Sequence, residues 1–419
     1  MSFNSLFPDP KKVANAAAII GDVVKETPLT KNFNLSEKYR CEILLKREDL
    51  QVVRSYKIRG ALNKIKSLPS DSLKNGVVCA SAGNHAQGVA LSCRTMGIQG
   101  TIFMPATTPK QKVEQVKMFG NGCTNIILEG DTFDESNMLA NRYCKENNMC
   151  FIHPFDDPEI IEGQATVALE ILNDISDPID FIILPVGGGG LASGVGAIFK
   201  QLSPSTKVIG VEPEGAQSMQ AAFNSGGPVT LESIDKFVDG AAVKRVGDIT
   251  YKICREVLDE IIAVPEGRVC TTILELYNQN AIVAEPAGAL SIAALDSISD
   301  IIKGKRVVCV VSGSNNDITR TEEIRERSLL HEGVKHYFII RFPQRAGALL
   351  NFVQNVLGPS DDITHFSYQK KNNREAGPAL IGIELADRRD FRELLKRMEK
   401  NDIIYEYINN KQDLFGFLI

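Results

Sequence analysis

Short apolar runs recur along most of the chain, separated by longer stretches in which apolar residues return at helical spacing. The runs cover residues 43–45, 77–80, 101–104, 126–128, 181–184, 208–211 and 307–311. They are rich in Ile and Val, and those at 77–80, 101–104, 181–184 and 307–311 close in Pro or a small polar residue. Such runs predict buried strands. Residues 109–119 typify the intervening helices, with Pro109 suited to a first helical position. Strand and helix in alternation predict an α/β fold, with parallel sheets covered by helices on both faces. Ligands of such sheets bind beyond the carboxyl ends of the strands. The segments that follow the runs are therefore the places to look for chemistry.

The pattern changes towards the end. Residues 317–334 hold the charged stretch Asp317-Ile318-Thr319-Arg320-Thr321-Glu322-Glu323-Ile324-Arg325-Glu326-Arg327, read as a solvated helix, and then the break His331-Glu332-Gly333. Residues 337–342 alternate like a half-buried strand. Leu349, Phe352, Val353 and Val356 fall at i, i+3, i+4 and i+7. Residues 363–368 and 380–385 alternate again, and Phe391, Leu394, Leu395 and Met398 repeat the helical spacing before a last strand at 403–408. The order β-α-β-β-α-β predicts a ferredoxin-like α+β unit. The expected limits are 1–330 for the larger domain and 335–419 for the smaller.

A chain of 419 residues exceeds one ordinary core, which agrees with that division. The net charge of −5, with both signs scattered, offers no basic surface and excludes nucleic acid as the expected partner. No apolar run reaches the ~18 residues of a membrane span. The start, Met1-Ser2-Phe3-Asn4, lacks the basic-then-apolar pattern of a secretory signal, so a cytoplasmic location is expected. The nine cysteines include no C-x-x-C pair. Most, such as Cys79, Cys254 and Cys309, lie within apolar runs and read as reduced core residues. The five histidines are dispersed, with no cysteine at ligand spacing, so no metal site is expected.

Three segments carry the candidate chemistry. The first is Ser55-Tyr56-Lys57-Ile58-Arg59-Gly60 at the start of a helix. Alone, Lys57 reads as a surface lysine. Flanked by Tyr56, Ile58 and Ala61, with Arg59 close in sequence, it reads instead as an amine held neutral by desolvation and a nearby cation. A neutral lysine amine is a nucleophile towards an aldehyde. The second is Ser81-Ala82-Gly83-Asn84-His85-Ala86-Gln87-Gly88, small residues opening a helix after a strand. Unpaired N–H groups there favour a carboxylate. Asn84 is a donor to a phenolate oxygen, Ser81 a proton carrier, and His85 a structural residue. The third is Pro185-Val186-Gly187-Gly188-Gly189-Gly190-Leu191. Four glycines would weaken an ordinary element by about 0.5–1 kcal/mol each, so a turn whose N–H groups wrap a phosphate is expected. The segment lacks the lysine of a nucleotide P-loop. No acidic residue follows at the distance a ribose needs, which disfavours a dinucleotide. A serine, Ser312, also ends the strand at 307–311.

Together with Lys46-Arg47-Glu48-Asp49-Leu50-Gln51 and Ser312-Gly313, these segments resemble the fold type II family of pyridoxal phosphate enzymes, and within it the threonine dehydratases (threonine ammonia-lyases). The tail, with Phe342-Pro343-Gln344-Arg345-Ala346-Gly347-Ala348-Leu349, resembles their ACT-like regulatory domain. The resemblance implies a tryptophan synthase beta-like catalytic domain of two parallel-sheet subdomains, with pyridoxal 5'-phosphate as cofactor. It implies that Lys57 holds the cofactor and moves the Cα proton, and that Asn84 bonds the ring hydroxyl oxygen. Gly187, Gly188, Gly189, Gly190 and Leu191 would bind the phosphate, and Ser312 would face the ring nitrogen. The substrate carboxylate would lie on Ser81, Ala82, Gly83, Asn84 and His85. The implied reaction is α,β-elimination from threonine, more slowly from serine, opening isoleucine synthesis under isoleucine control in a homotetramer.

Some positions depart from the family pattern. Tyr56 stands where phenylalanine is usual, and Val53-Arg54 replaces a commoner Pro-x pair. Glu212 and Ala216 match a cation site of serine racemases, but Ser218 stands where an acid is expected, which argues against a cation. One ACT-like unit is present where the long form has two. Serine racemase or a catabolic dehydratase is the same-fold rival, opposed by the C-terminal unit. A non-catalytic amino-acid sensor is opposed by Lys57.

Overall fold

The computed structural model describes residues 7–368 and 375–411. Met1-Ser2-Phe3-Asn4, read above for a signal, lies outside them. By packing, the chain divides into two units, Met1–Asp317 and Ile318–Ile419. The charged helix Thr321–His331 belongs to the second unit rather than the first. Its Glu326 accepts a hydrogen bond of 2.6 Å from Tyr337 Oη, which ties it to the strand that follows.

The first unit contains β1 (Leu29–Lys31), β2 (Glu42–Arg47), β3 (Val77–Ala80), β4 (Gly100–Met104) and β5 (Thr124–Leu128). It continues with β6 (Cys150–Phe151), β7 (Phe181–Pro185), β8 (Lys207–Pro213), β9 (Glu260–Val264) and β10 (Arg306–Val311). One sheet has six strands in the order β1-β2-β10-β7-β8-β9, parallel except for β1 against β2. The other has four parallel strands in the order β5-β4-β3-β6. These are the two parallel sheets expected of the fold. Every predicted run is a strand, with ends shifted by no more than about two residues. The pattern missed β1, β6 and β9. β1 and β6 are too short to show a period, and β9 lies at a sheet edge with Glu260 and Ala263 exposed. Pro109 precedes the helix Lys110–Gly120 instead of starting it. All nine cysteines are free, and Cys79, Cys254 and Cys309 are buried.

Between β2 and β3 runs the helix Lys57–Ser67, which buries Ile58, Leu62 and Ile65. Its Arg59 is fully buried. The guanidinium donates to Glu48 through Nε at 2.8 Å and Nη2 at 2.7 Å, to Glu170 Oε2 at 2.8 Å and to Thr166 Oγ1 at 3.0 Å. Buried Lys46 lies 2.7 Å from the same Glu170. Lys46 also lies 3.8 Å from Asp174, so two cations are compensated by three carboxylates in a set that joins β2, this helix and the helix Pro158–Asp174. Removing one partner of such a buried set strands the others' charge, at about 3–5 kcal/mol.

The second unit contains β11 (Lys335–Pro343), β12 (Asp362–Tyr368), β13 (Ala376–Glu384) and β14 (Tyr405–Tyr407). They form an antiparallel sheet in the order β12-β13-β11-β14. The helices Ala348–Asn355 and Phe391–Lys400 bury Phe352, Leu394 and Met398 in its core, with Phe338, Ile340 and Ile381 from the sheet. This is the ferredoxin-like unit that the spacing predicts. Among the described residues no helix is long and apolar enough to cross a membrane.

Arg59→Ala is expected to lower stability by about 3–5 kcal/mol, read as a fall in the denaturant midpoint. An unchanged midpoint would contradict the paired-charge account.

Candidate active site

The predicted site residues lie beyond the carboxyl ends of parallel strands. The Ser81 loop follows β3, the glycine loop follows β7 and Ser312 follows β10. Lys57 is reached after β2 and begins its helix. Its loop is tied to that of Ser312 by Tyr56 N–H donating to Ser312 O at 3.2 Å and Ser314 N–H to Arg54 O at 2.9 Å. Arg54 takes φ +61°, a left-handed conformation unfavourable to a branched side chain.

Lys57 keeps some exposure, yet protein surrounds its amine. Burial lowers the amine to about 8, against an opposing pull from the Glu285 carboxyl. The cation that sequence reading credited, Arg59, does not contribute. It lies in the core described above, paired with Glu48 and Glu170. Desolvation alone supplies the shift. Lys57 Nζ donates to Pro154 O at 2.8 Å and stands 5.4 Å from the Tyr56 ring centroid.

Pro154 belongs to a segment that sequence reading missed, His153-Pro154-Phe155-Asp156. His153 Nδ1 accepts from the N–H groups of Phe155 and Asp156, at 3.2 and 2.7 Å, and holds the segment in a turn. Phe155 packs against the glycine loop, where a Cβ on Gly188 would lie 2.2 Å from its ring. Gly189 takes φ +92°. Asp156 accepts from the N–H groups of Asp248, Ile249 and Thr250 at 3.0, 2.9 and 3.1 Å, capping the helix Asp248–Val257. Thr250 Oγ1 in turn donates to Gly188 O at 2.6 Å. The turn therefore connects Lys57 to the glycine loop. Its sequence signal was Pro154 followed by the adjacent aspartates Asp156 and Asp157.

The glycine loop opens the helix Gly190–Leu202. No acceptor among the described residues meets the N–H groups of Gly187, Gly188, Gly189, Gly190 or Leu191. A cradle of unpartnered donors at a helix start fits a phosphate. Gly188 and Gly189 are needed for its shape.

The Ser81 loop opens the helix Asn84–Met96. Two of its five expected donors are already engaged: Ser81 N–H donates to Phe103 O at 3.0 Å, and Gly83 N–H to Ser81 Oγ at 3.2 Å. Ala82, Asn84 and His85 keep free N–H groups among the described residues. His85 is buried, with Nε2 2.9 Å from Ile152 O, and burial holds it down at about 3, as befits a structural residue. Asn84 Nδ2 donates to Glu285 Oε1 at 2.6 Å, and its Oδ1 accepts from Asn315 Nδ2 at 2.7 Å. Ser312 Oγ donates to Ala287 O over a long 3.2 Å. Sequence reading missed Glu285, whose only signal was an acid set in Ala284-Glu285-Pro286-Ala287 at a helix start.

Glu212 is fully buried and accepts from Met219 N–H at 2.7 Å and Gln220 N–H at 2.9 Å. Its carboxylate caps the helix Ser218–Ser225.

The family model described as "Pyridoxal-phosphate dependent enzyme" matches residues 20–313. The chain belongs to that family, and its cofactor is pyridoxal phosphate. The model of the C-terminal regulatory domain of threonine dehydratase matches residues 326–418. A biosynthetic L-threonine dehydratase of Halalkalibacterium halodurans is 60% identical over 95% of this chain and 96% of its own. The processed form of threonine deaminase isoform 2 from Solanum lycopersicum superposes with a TM-score of 0.72 at 37% identity, over 77% of this chain and 90% of that one. Maize serine racemase superposes at 0.71 with 31% identity, over 77% of this chain and 98% of that one. The residues present fit the cofactor: a lysine amine lowered by burial, and free N–H groups shaped by glycine for its phosphate.

Gly188→Ala is expected to displace Phe155 and weaken cofactor affinity at least about tenfold, about 1.4 kcal/mol, in an absorbance titration of the cofactor-free protein. Wild-type affinity would contradict the cradle.

Proposed function

We propose that this protein is a biosynthetic threonine dehydratase, converting L-threonine to 2-oxobutanoate and ammonia at the start of isoleucine synthesis, with serine a slower substrate. One observation carries the reading: the Lys57 amine, lowered by burial, is joined through Pro154 and Phe155 to a loop of unpartnered N–H groups. Lys57 holds the cofactor and moves the proton of the substrate Cα. The N–H groups of Gly187, Gly188, Gly189, Gly190 and Leu191 hold its phosphate, and Asn84 bonds the ring hydroxyl oxygen. Bound there, pyridoxal phosphate supplies an electron sink for the bonds at Cα.

The free N–H groups at Ala82, Asn84 and His85 orient the substrate carboxylate. Ser81 Oγ accepts from Gly83, which leaves its O–H free to donate a hydrogen bond to the departing β-hydroxyl. Ser312 faces the ring nitrogen, and rotation of its hydroxyl releases the long bond to Ala287. A neutral hydroxyl cannot compensate a pyridinium charge as a carboxylate would. That restraint suits an elimination, in which loss of the β-hydroxyl relieves charge at Cα.

We infer feedback control by isoleucine, which the regulatory-domain match supports, and propose a cytoplasmic homotetramer. Serine racemase is the competing reading. The regulatory-domain match at residues 326–418 favours the dehydratase.

Purified protein is expected to form 2-oxobutanoate from threonine. Lys57→Ala should lower that rate by at least about 10³-fold and abolish the cofactor absorbance near the visible edge. An equal rate and band in the variant would sink the assignment. Truncation after Asp317 should keep turnover and remove inhibition by isoleucine. Inhibition that survives truncation would place the effector elsewhere.

A further inference from the structure

Glu285 is an acid in an unfavourable place. It is 5% exposed and stands just before the helix Pro286–Ala293, yet its side chain does not cap that helix. Space is reserved for its carboxyl: a Cβ on Gly313 would lie 2.3 Å from Oε1. The charged and titratable groups facing it are Asp239, Lys112, Lys57 and the Tyr56 hydroxyl. Burial and Asp239 push the carboxyl up to about 7. None of these four groups is its hydrogen-bond partner. Its partners are the backbone N–H of Asn315 and the Asn84 side chain, whose Nδ2 donates to Oε1 at 2.6 Å.

A side-chain amide has two N–H groups at one end and a carbonyl oxygen at the other. In Asn84 both ends are held. Its Oδ1 accepts from Asn315 Nδ2 at 2.7 Å, and that nitrogen is oriented by a second bond of 2.9 Å to Val53 O. Turning the amide over would set its oxygen against the Glu285 carboxyl and its N–H groups against the Asn315 donor. Only one orientation is satisfied, and it leaves one Asn84 N–H without an acceptor among the described residues.

We propose that Glu285 is a positioning residue for the cofactor: as hydrogen-bond acceptor it locks the Asn84 amide, with Asn315, so that the free N–H serves the cofactor's ring hydroxyl oxygen. The inference rests on the assignment of Asn84 made above. Acceptance by an oxygen at this place is what matters, so glutamine, which keeps that oxygen, substitutes for glutamate.

The test titrates cofactor-free protein with pyridoxal phosphate, reading affinity and the position of the absorbance band. Glu285→Ala, and Glu285→Leu, which keeps the volume without the acceptor, should each weaken affinity at least about tenfold and move the band. In both, kcat should fall while KM for threonine changes little. Glu285→Gln should restore affinity to within about threefold, and its band should match wild type. Should Glu285→Ala fail to fold, Glu285→Leu and Glu285→Gln carry the comparison. Wild-type affinity and band in Glu285→Leu would overturn the proposal, as would a glutamine variant as impaired as the leucine one. Asn84→Ala separates the two levels. If it leaves affinity and band unchanged, the assignment of Asn84 falls and this inference with it. If it weakens binding while no Glu285 variant does, only the role of Glu285 falls.

Discussion

An amine and a carboxyl buried near each other, and kept from pairing, form the constraint on which this site depends. Lys57 donates to a backbone oxygen, Pro154 O, and Glu285 accepts from an amide, Asn84. Each is thereby satisfied by a neutral partner. Burial then moves both titrations towards neutrality, the amine down to about 8 and the carboxyl up to about 7. A direct ion pair would undo this, since an opposite charge at close range stabilises both charged forms. The lysine would then be fixed as an ammonium and lost as a nucleophile.

The same helix shows the opposite treatment two residues on. Arg59 is more deeply buried, but Glu48 and Glu170 surround it and hold its charge. That charge balance anchors the helix whose first residue is Lys57. The division of labour follows the chemistry of the two side chains. A guanidinium is always charged and forks onto two carboxylates, whereas an ammonium loses its proton readily when buried. The second anchor is the turn from His153 to Asp156. It carries the acceptor for Lys57, the ring against Gly188 and the cap of the helix Asp248–Val257. Lysine and glycine loop are therefore set by one short piece of chain.

Much of this was legible in the sequence. Runs of Ile and Val gave the parallel strands, because strands buried on both faces leave a continuous apolar signature. Period two and period 3.6 gave the ferredoxin-like unit. The Ser81 loop, the glycine loop and Ser312 stood out at strand ends, and Lys57 by its apolar neighbours at a helix start. What stayed hidden was pairing across long separations. Nothing near Arg59 announces Glu170, and nothing near Asn84 announces Glu285, 201 positions away. For the same reason Arg59 was credited with lowering the Lys57 amine, when its charge is neutralised by residues that only the fold brings in. The charged stretch before residue 332 read as the close of the first domain, because periodicity cannot say which core a solvated helix joins.

The most direct measurement is peptide mass spectrometry of cofactor-loaded protein after borohydride reduction, which makes an amine–aldehyde linkage permanent. The account predicts a phosphopyridoxyl mass on the peptide that contains Lys57. Full occupancy by the cofactor with that peptide unmodified would contradict it.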